Sequence, residues 1–325
     1  MAGYDRILIT GGGGFVGSRL RDGLTAAFPE AQYVDISRSG KSGAPGWREV
    51  ALDLCDEAGV EAVVADFVPD LVVHLAAQSS IGAATHAGEA SWRANFFGTF
   101  HLAAAVARHA PTATFFFSSS AAVYGASLND GVVDETTPPR PLDAYSRSKL
   151  ASEAALVDVL PETVRSIVVR PVNHSGAGQI SRNFALASFA AQIVAIERGE
   201  TEPCIAVGDL SKARDFLDVR DVVEAYLGLL RGADRLEDRH SCFNVASGRA
   251  ETLSHLLETM RAHARRPFEV RVDPKLMRPP KVDIPTMACD ASRLRAAIGW
   301  APRHTADDMV VDLLSFWREL PPRSA

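Results

Sequence analysis

Thr10-Gly11-Gly12-Gly13-Gly14-Phe15-Val16-Gly17 lies between the apolar run 6–10 and a stretch of helical periodicity over 15–27. A strand that passes into a helix through glycines bends tightly and leaves its backbone bare. Gly11 suits the tight turn, Gly14 the close approach of an anion, and Gly17 the packing of helix on strand. The unpaired amides and positive dipole end of such a helix attract pyrophosphate. Gly11, Gly14, Phe15, Val16 and Gly17 are therefore candidate contacts for a dinucleotide. Asp35 follows Gly11 by 24 residues at the end of the next apolar run. A carboxylate there accepts hydrogen bonds from the adenosine ribose and repels a 2′-phosphate, which favours NAD. Ser37, Arg38 and Lys41 follow closely and leave NADP open.

The rest of the chain supports that beginning. Short apolar runs at 6–10, 32–36, 71–75, 114–118, 166–170, 204–207 and 242–245 alternate with helix-like stretches at 15–27, 91–108, 145–159 and 184–198. This rhythm predicts an α/β fold, a doubly wound parallel sheet with helices on both faces. Within the last of these helices, Phe189, Ile193 and Ile196 repeat at helical spacing and are expected to face a core. After Pro171 the rhythm changes, and Pro274, Pro279, Pro280, Pro285 and Pro302 interrupt the remainder. The expected organisation is a dinucleotide-binding domain over 1–172, completed by parts of 203–247, with 173–325 forming mainly a smaller substrate-binding lobe.

Composition narrows the class. The 325 residues carry a net charge of −6 and no sustained basic block, which argues against nucleic acid as a partner. No segment has the length of a membrane span, and the amino terminus lacks the apolar core of a signal peptide, so a cytoplasmic protein is expected. Cys55, Cys204, Cys242 and Cys289 are scattered, as free thiols in a reducing compartment would be. The nine histidines show no ligand spacing, and no metal is expected.

Tyr145 and Lys149 carry the chemistry. Four residues apart on a helix they share one face, where an ammonium favours the phenolate of its neighbour. Bringing a tyrosine from its ordinary value near 10 to about 7 takes roughly 4 kcal/mol, within reach of a lysine beside an oxidised nicotinamide. The strand 114–118 ends in Ser118-Ser119-Ser120, which puts small hydroxyls at the crevice. One of them holds a substrate oxygen while Tyr145 moves its proton and hydride passes to or from the nicotinamide.

With Thr10–Gly17, His74-Leu75-Ala76-Ala77, Ser119-Ser120-Ala121-Ala122-Val123-Tyr124-Gly125 and Tyr145-Ser146-Arg147-Ser148-Lys149, the chain resembles the extended short-chain dehydrogenase/reductase family of nucleotide-sugar epimerases, dehydratases and reductases. The resemblance runs from the first strand nearly to the carboxyl terminus. It implies a Rossmann domain with Ser120, Tyr145 and Lys149 as the catalytic set. It also implies cofactor contacts from Asp53 and Leu54 near the adenine, from Ala76 and Ala77, from Asn95 below the site, and from Ser118 and Pro171. Substrate contacts implied are Ser120, and Asn173, Arg214 and Arg278 at the diphosphate. His74 reads as structural, and Arg220-Asp221 as an ion-paired turn joining sheet and lobe. Family members pair through the helices 91–108 and 145–159, so a homodimer is expected.

Two alanines then separate the reactions. Members that eliminate water resemble one another in having a glutamate two places after the catalytic hydroxyl, often with an aspartate before it. Here those places hold Ala121 and Ala122. Without a second acid, elimination lacks its proton donor. The carboxyl half, through Arg170–Gln179, Val207–Leu210 and Arg214–Asp221, is most similar to members that reduce the 4-keto group of a GDP-linked 6-deoxyhexose. The expectation is an NAD(P)-dependent oxidoreductase of a GDP-linked nucleotide-diphosphate sugar. A 4-epimerase that retains NAD is the alternative, with a dehydratase or a non-catalytic dinucleotide sensor ranked lower.

Overall fold

The computed structural model describes residues 2–40, 43–78, 88–277 and 284–321. The strands in chain order are β1 (Arg6–Thr10), β2 (Gln32–Ser37), β3 (Trp47–Ala51), β4 (Leu71–His74), β5 (Thr114–Ser118), β6 (Arg165–Pro171), β7 (Asn173–Ser175), β8 (Cys204–Val207), β9 (Ala213–Asp218), β10 (His240–Val245), β11 (Ala250–Thr252), β12 (Glu269–Val272) and β13 (Thr286–Met287). Seven of them form a sheet ordered β10-β6-β5-β4-β1-β2-β3, and its pairs are all parallel. The chain runs outward one way from β1 to β3 and the other way from β4 to β10. The order therefore reverses between β1 and β4, and a crevice opens above their carboxyl ends.

Alternate residues of each central strand feed opposite layers, which explains why the strands are apolar throughout. Ile7, Ile9 and Phe116 pack on one side with Leu20 and Leu24 of the Phe15–Ala27 helix and Val222 and Tyr226 of the Val219–Arg231 helix. Leu8, Phe115 and Phe117 pack on the other with Val60, Val64, Leu102, Val106 and Leu156. Both sides are sealed. The lobe has its own core, in which Phe189, Ile193 and Ile196 of the Ala185–Glu197 helix meet Leu256, Met260, Leu313 and Trp317.

Two departures from the sequence reading concern pairing. β3, which carries Arg48 and Glu49, joins the sheet as its edge strand although it has no apolar run. β8 pairs with β12 inside the lobe rather than with the main sheet, so β10 and the Val219–Arg231 helix are what return to the large domain. β9 binds β7, β11 and β13 as the lobe's second sheet. The turn at 218–221 is also wired differently. Arg220 pairs with Asp218 at 2.7 Å, while Asp221 reaches His304 at 2.9 Å and the backbone of the same residue. Asp221 therefore ties this turn to the segment carrying Trp300 and His304, whereas the pairing of Arg220 stays within the turn.

Candidate active site

The glycine turn is sterically committed. Gly11 has φ +77, and a Cβ there would lie 2.8 Å from the nitrogen of Ala76. A Cβ on Gly17 would stand 2.2 Å from the Gly11 carbonyl oxygen, inside van der Waals contact. The glycine turn thus lies hard against the segment that follows β4, and the Phe15–Ala27 helix starts directly against the turn. Gly11, Gly14, Phe15, Val16, Gly17, Ala76 and Ala77 all line one cavity of about 950 Å³, which also holds Ser118, Ser120, Tyr145, Lys149, Pro171, Asn173 and Arg214. A cavity of that size accommodates a dinucleotide end together with a substrate.

Asp143 caps the Ala144–Val159 helix, accepting from the Ser146 amide at 2.8 Å while Ser146 returns a bond to the Asp143 amide. This capping box fixes where the helix begins. Tyr145 accordingly falls in the first turn and Lys149 one turn further, both buried. The Lys149 ammonium donates to the carbonyl of Ser118 at 2.7 Å and lies 4.7 Å from the centre of the Phe117 ring. Burial lowers its pKa to about 7, against the opposing pull of Glu153. Burial raises the Tyr145 phenol above its usual range, a hydrogen bond with Ser120 works the other way, and the charge of Asp143 raises it further. In the protein alone the Tyr145 phenol is thus biased toward its protonated form.

Asn95 is fully buried within a π-helical turn, Trp92–Phe97, that runs into the Gly98–His109 helix. Such turns recur at functional positions. Its side chain accepts from the Gln78 amide at 2.7 Å and donates to Ser148 at 3.1 Å, and Ser148 bonds the carbonyl of Tyr145. His74 is bonded on its two ring nitrogens to Thr10 and Thr99, and burial holds its pKa at about 3. It is a neutral structural strut.

Asp53, expected near the adenine, accepts from the Cys55 amide at 2.9 Å, and this bond holds its carboxyl below the usual range, helped by Arg38 and Arg93. Leu54 is buried against the helical layer. Asp35 is only 1% exposed. Its oxygens accept from the Gly12 amide at 3.2 Å and pair with Arg21 at 3.1 Å. Its side chain points under the glycine turn toward the first helix, on the sheet face shared with Tyr33. At the end of β2 stand Ser37 and then Arg38, which is exposed.

Asn173 is exposed at the start of β7, and Arg214 is buried on β9, donating to the carbonyls of Ala213 and Pro285. Arg278 and Lys41 lie outside the described residues. Two cations that the sequence reading did not single out, Arg182 and Lys212, line the same cavity. Arg182 sits 5.5 Å from the centre of the Trp317 ring, and Lys212 pairs with Asp209 at 3.2 Å. Neither belongs to a local motif, and only the meeting of the lobe's loops with the crevice brings them in.

A doubly wound parallel sheet whose switch point holds a glycine turn, with serine, tyrosine and lysine gathered beside it, defines an NAD(P)-dependent dehydrogenase/reductase. The sequence profile of the GDP-mannose 4,6-dehydratase family matches residues 8–313. The chain is 31% identical to the GDP-6-deoxy-D-mannose reductase of Pseudomonas aeruginosa, over 96% of this chain and 97% of the relative. It is 27% identical to a UDP-glucose 4-epimerase of Rhizobium meliloti, over 92% and 93%. The solved structure of RMD from Pseudomonas aeruginosa complexed with NADPH superposes with a TM-score of 0.80 at 30% identity, covering 96% of this chain and 99% of that one. The chain therefore belongs to the GDP-mannose 4,6-dehydratase family of extended short-chain dehydrogenases/reductases, enzymes that use NAD(P) on nucleotide sugars.

Proposed function

We propose that this enzyme reduces the 4-keto group of a GDP-linked 4-keto-6-deoxyhexose with NADPH, giving a product of the GDP-rhamnose type. The observation that carries this reading is the wall beside Ser120. Ala121 is buried in the core and Ala122 faces the cavity, where elimination would need a carboxylate. Gly125, Leu142 and Val172 continue an apolar lining that suits a ring bearing a methyl group. The acids among the described lining residues, Asp143 and Asp209, are engaged by the Ser146 and Ser211 amides.

Ser120 orients the ketone oxygen, Tyr145 donates the proton to it, and Lys149 holds the nicotinamide ribose and steadies the phenolate left behind. The bound dinucleotide supplies the hydride. Asn173, Arg182, Lys212 and Arg214 offer hydrogen bonds and positive charge to the diphosphate, where guanidinium pairs well with phosphate oxygens. For the cofactor, Asp35 is committed to Arg21 and Gly12, and Ser37 with Arg38 presents a site for the 2′-phosphate.

With GDP-4-keto-6-deoxy-D-mannose, loss of NADPH absorbance should match product formed, one for one. Turnover of a GDP-, UDP- or dTDP-linked hexose without added cofactor would instead establish a 4-epimerase, a reading supported by the epimerase relative.

We also propose a homodimer. Trp92, Phe97 and Phe100 are 36%, 47% and 38% exposed in a row of ring contacts that includes Phe96, and Val157 on the neighbouring Ala144–Val159 helix is 52% exposed. An apolar stripe of this kind marks a protein interface. The double variant Phe97→Asp, Phe100→Asp should sediment at half the mass of the parent chain, and an unchanged mass would refute this interface.

A further inference from the structure

Beneath the cavity, outside the catalytic set, lies a buried ion pair with more partners than a structural tie needs. Arg170, on β6, donates from Nε and Nη2 to the two carboxylate oxygens of Glu153 at 3.1 and 2.6 Å. The side chains are 9% and 11% exposed. The same carboxylate accepts the hydroxyl of Ser119. Arg170 Nη1 donates to the Tyr124 hydroxyl at 3.0 Å, and its guanidinium lies 5.0 Å from the centre of that ring. Tyr124 in turn donates to Asn244 on β10 at 2.8 Å.

These contacts converge on Ser120 from both sides. Ser119 precedes it, and Tyr124 closes the Ala121–Tyr124 turn that follows it. Glu153 also stands one helical turn after Lys149, and Arg170 immediately precedes Pro171 of the cofactor wall. The pair thus touches each of the three segments that must be mutually placed: the exit of β5, the helix bearing Tyr145 and Lys149, and the end of β6.

A buried ion pair is weak as a source of stability, because desolvation largely offsets its attraction, and well-packed apolar residues often serve as well. What it supplies is direction, since a bidentate carboxylate and guanidinium have one good geometry. Resting on the reading of Ser120, Tyr145 and Lys149 as the reducing site, we infer that Glu153 and Arg170 are positioning residues that hold Ser120 in register with Tyr145 and Lys149. A second effect acts through charge. Among the described residues, the groups acting on the Lys149 ammonium are His74 from β4, which is neutral, and Glu153 from its own helix, whose carboxylate is bound in turn by Arg170 of β6. Glu153 favours the protonated lysine, so its removal makes Lys149 easier to deprotonate.

The test uses Glu153→Gln in the full chain, with NADPH and GDP-4-keto-6-deoxy-D-mannose. Glutamine keeps the length and an acceptor for Ser119 but loses the charge and the bidentate pair. Expected are a fall in kcat of about a hundredfold, the scale of an ångström-sized misplacement, a KM and an NADPH affinity within about threefold of the parent, and an alkaline limb of kcat/KM displaced to lower pH. Glu153→Asp, which keeps the charge, should restore the limb while leaving kcat low. The double variant Glu153→Met, Arg170→Met removes the unpaired-charge penalty and should melt near the parent temperature with kcat still depressed. A folded Glu153→Gln or double variant with kcat within threefold of the parent and an unmoved limb overturns the inference. Tyr145→Phe is measured alongside, because full activity there overturns the reading of the site itself, whereas loss there with parental activity in Glu153→Gln overturns only the positioning role.

Discussion

Tyr145→Phe should lower kcat for ketone reduction by roughly 10²–10⁴-fold, the usual contribution of a positioned general acid, while NADPH binds as before. The phenol is buried, and burial together with Asp143 raises its pKa although Ser120 opposes this. On the proposed assignment it carries, at neutral pH, the proton that the reduced oxygen receives. Phenylalanine keeps the packing and removes only that proton. The pH dependence of kcat/KM follows from Lys149, whose pKa burial brings to about 7. Below that value the ammonium is present to stabilise the phenolate formed in the transition state. Above it the charge is lost, so the rate should decline as pH climbs through about 7, and raising the pH should not activate the enzyme by ionising Tyr145. Steady-state kinetics from pH 5.5 to roughly 9 would check this. A rate that rises across that range, or Tyr145→Phe at parental kcat, contradicts the assignment.

Arg38→Ala should weaken NADPH binding by about 10- to 100-fold, since a charge-assisted bond to phosphate contributes roughly 1.5–3 kcal/mol and the exposed setting favours the lower end. NADH affinity should change by no more than about twofold, because only the 2′-phosphate meets this side chain. The argument rests on the end of β2. An aspartate facing the ribose would repel the phosphate, but Asp35 is 1% exposed and turned toward Arg21 and Gly12. Arg38 remains, close enough to Asp53 to depress its pKa. Titration of both cofactors by nucleotide fluorescence reads the difference directly. An equal loss for NADH and NADPH would mean that Arg38 supports the adenosine pocket in general and does not select the phosphate.

What was legible in advance was local. β1, β5 and the Phe15–Ala27 helix fall where apolar runs and periodicity put them, because a strand buried on both faces must be apolar over its whole length. β3 escaped, since an edge strand is wetted on one side and tolerates Arg48 and Glu49. The pairing of β8 with β12 escaped for a different reason. An apolar tetrapeptide is the same in either sheet, and the partner is chosen by contacts far along the chain. Asp35 is the sharpest case: its spacing from Gly11 matched a ribose ligand, but the side on which it emerges depends on where β2 ends, and β2 runs on to Ser37.

Sequence alone determined the alternating sheet-and-helix order, the glycine-rich turn between the first strand and helix, and a tyrosine and lysine one helical turn apart. These follow from backbone sterics and helical pitch, which act over a few residues. Only the tertiary structure decided that Ser120 and Tyr145 line one cavity, that Arg182 and Lys212 reach the same cavity as Arg214, that Asp35 pairs with Arg21, and that Glu153 meets Arg170 and Ser119. Those are bonds between groups distant in the chain, and their geometry exists only once the two core layers have closed over the sheet.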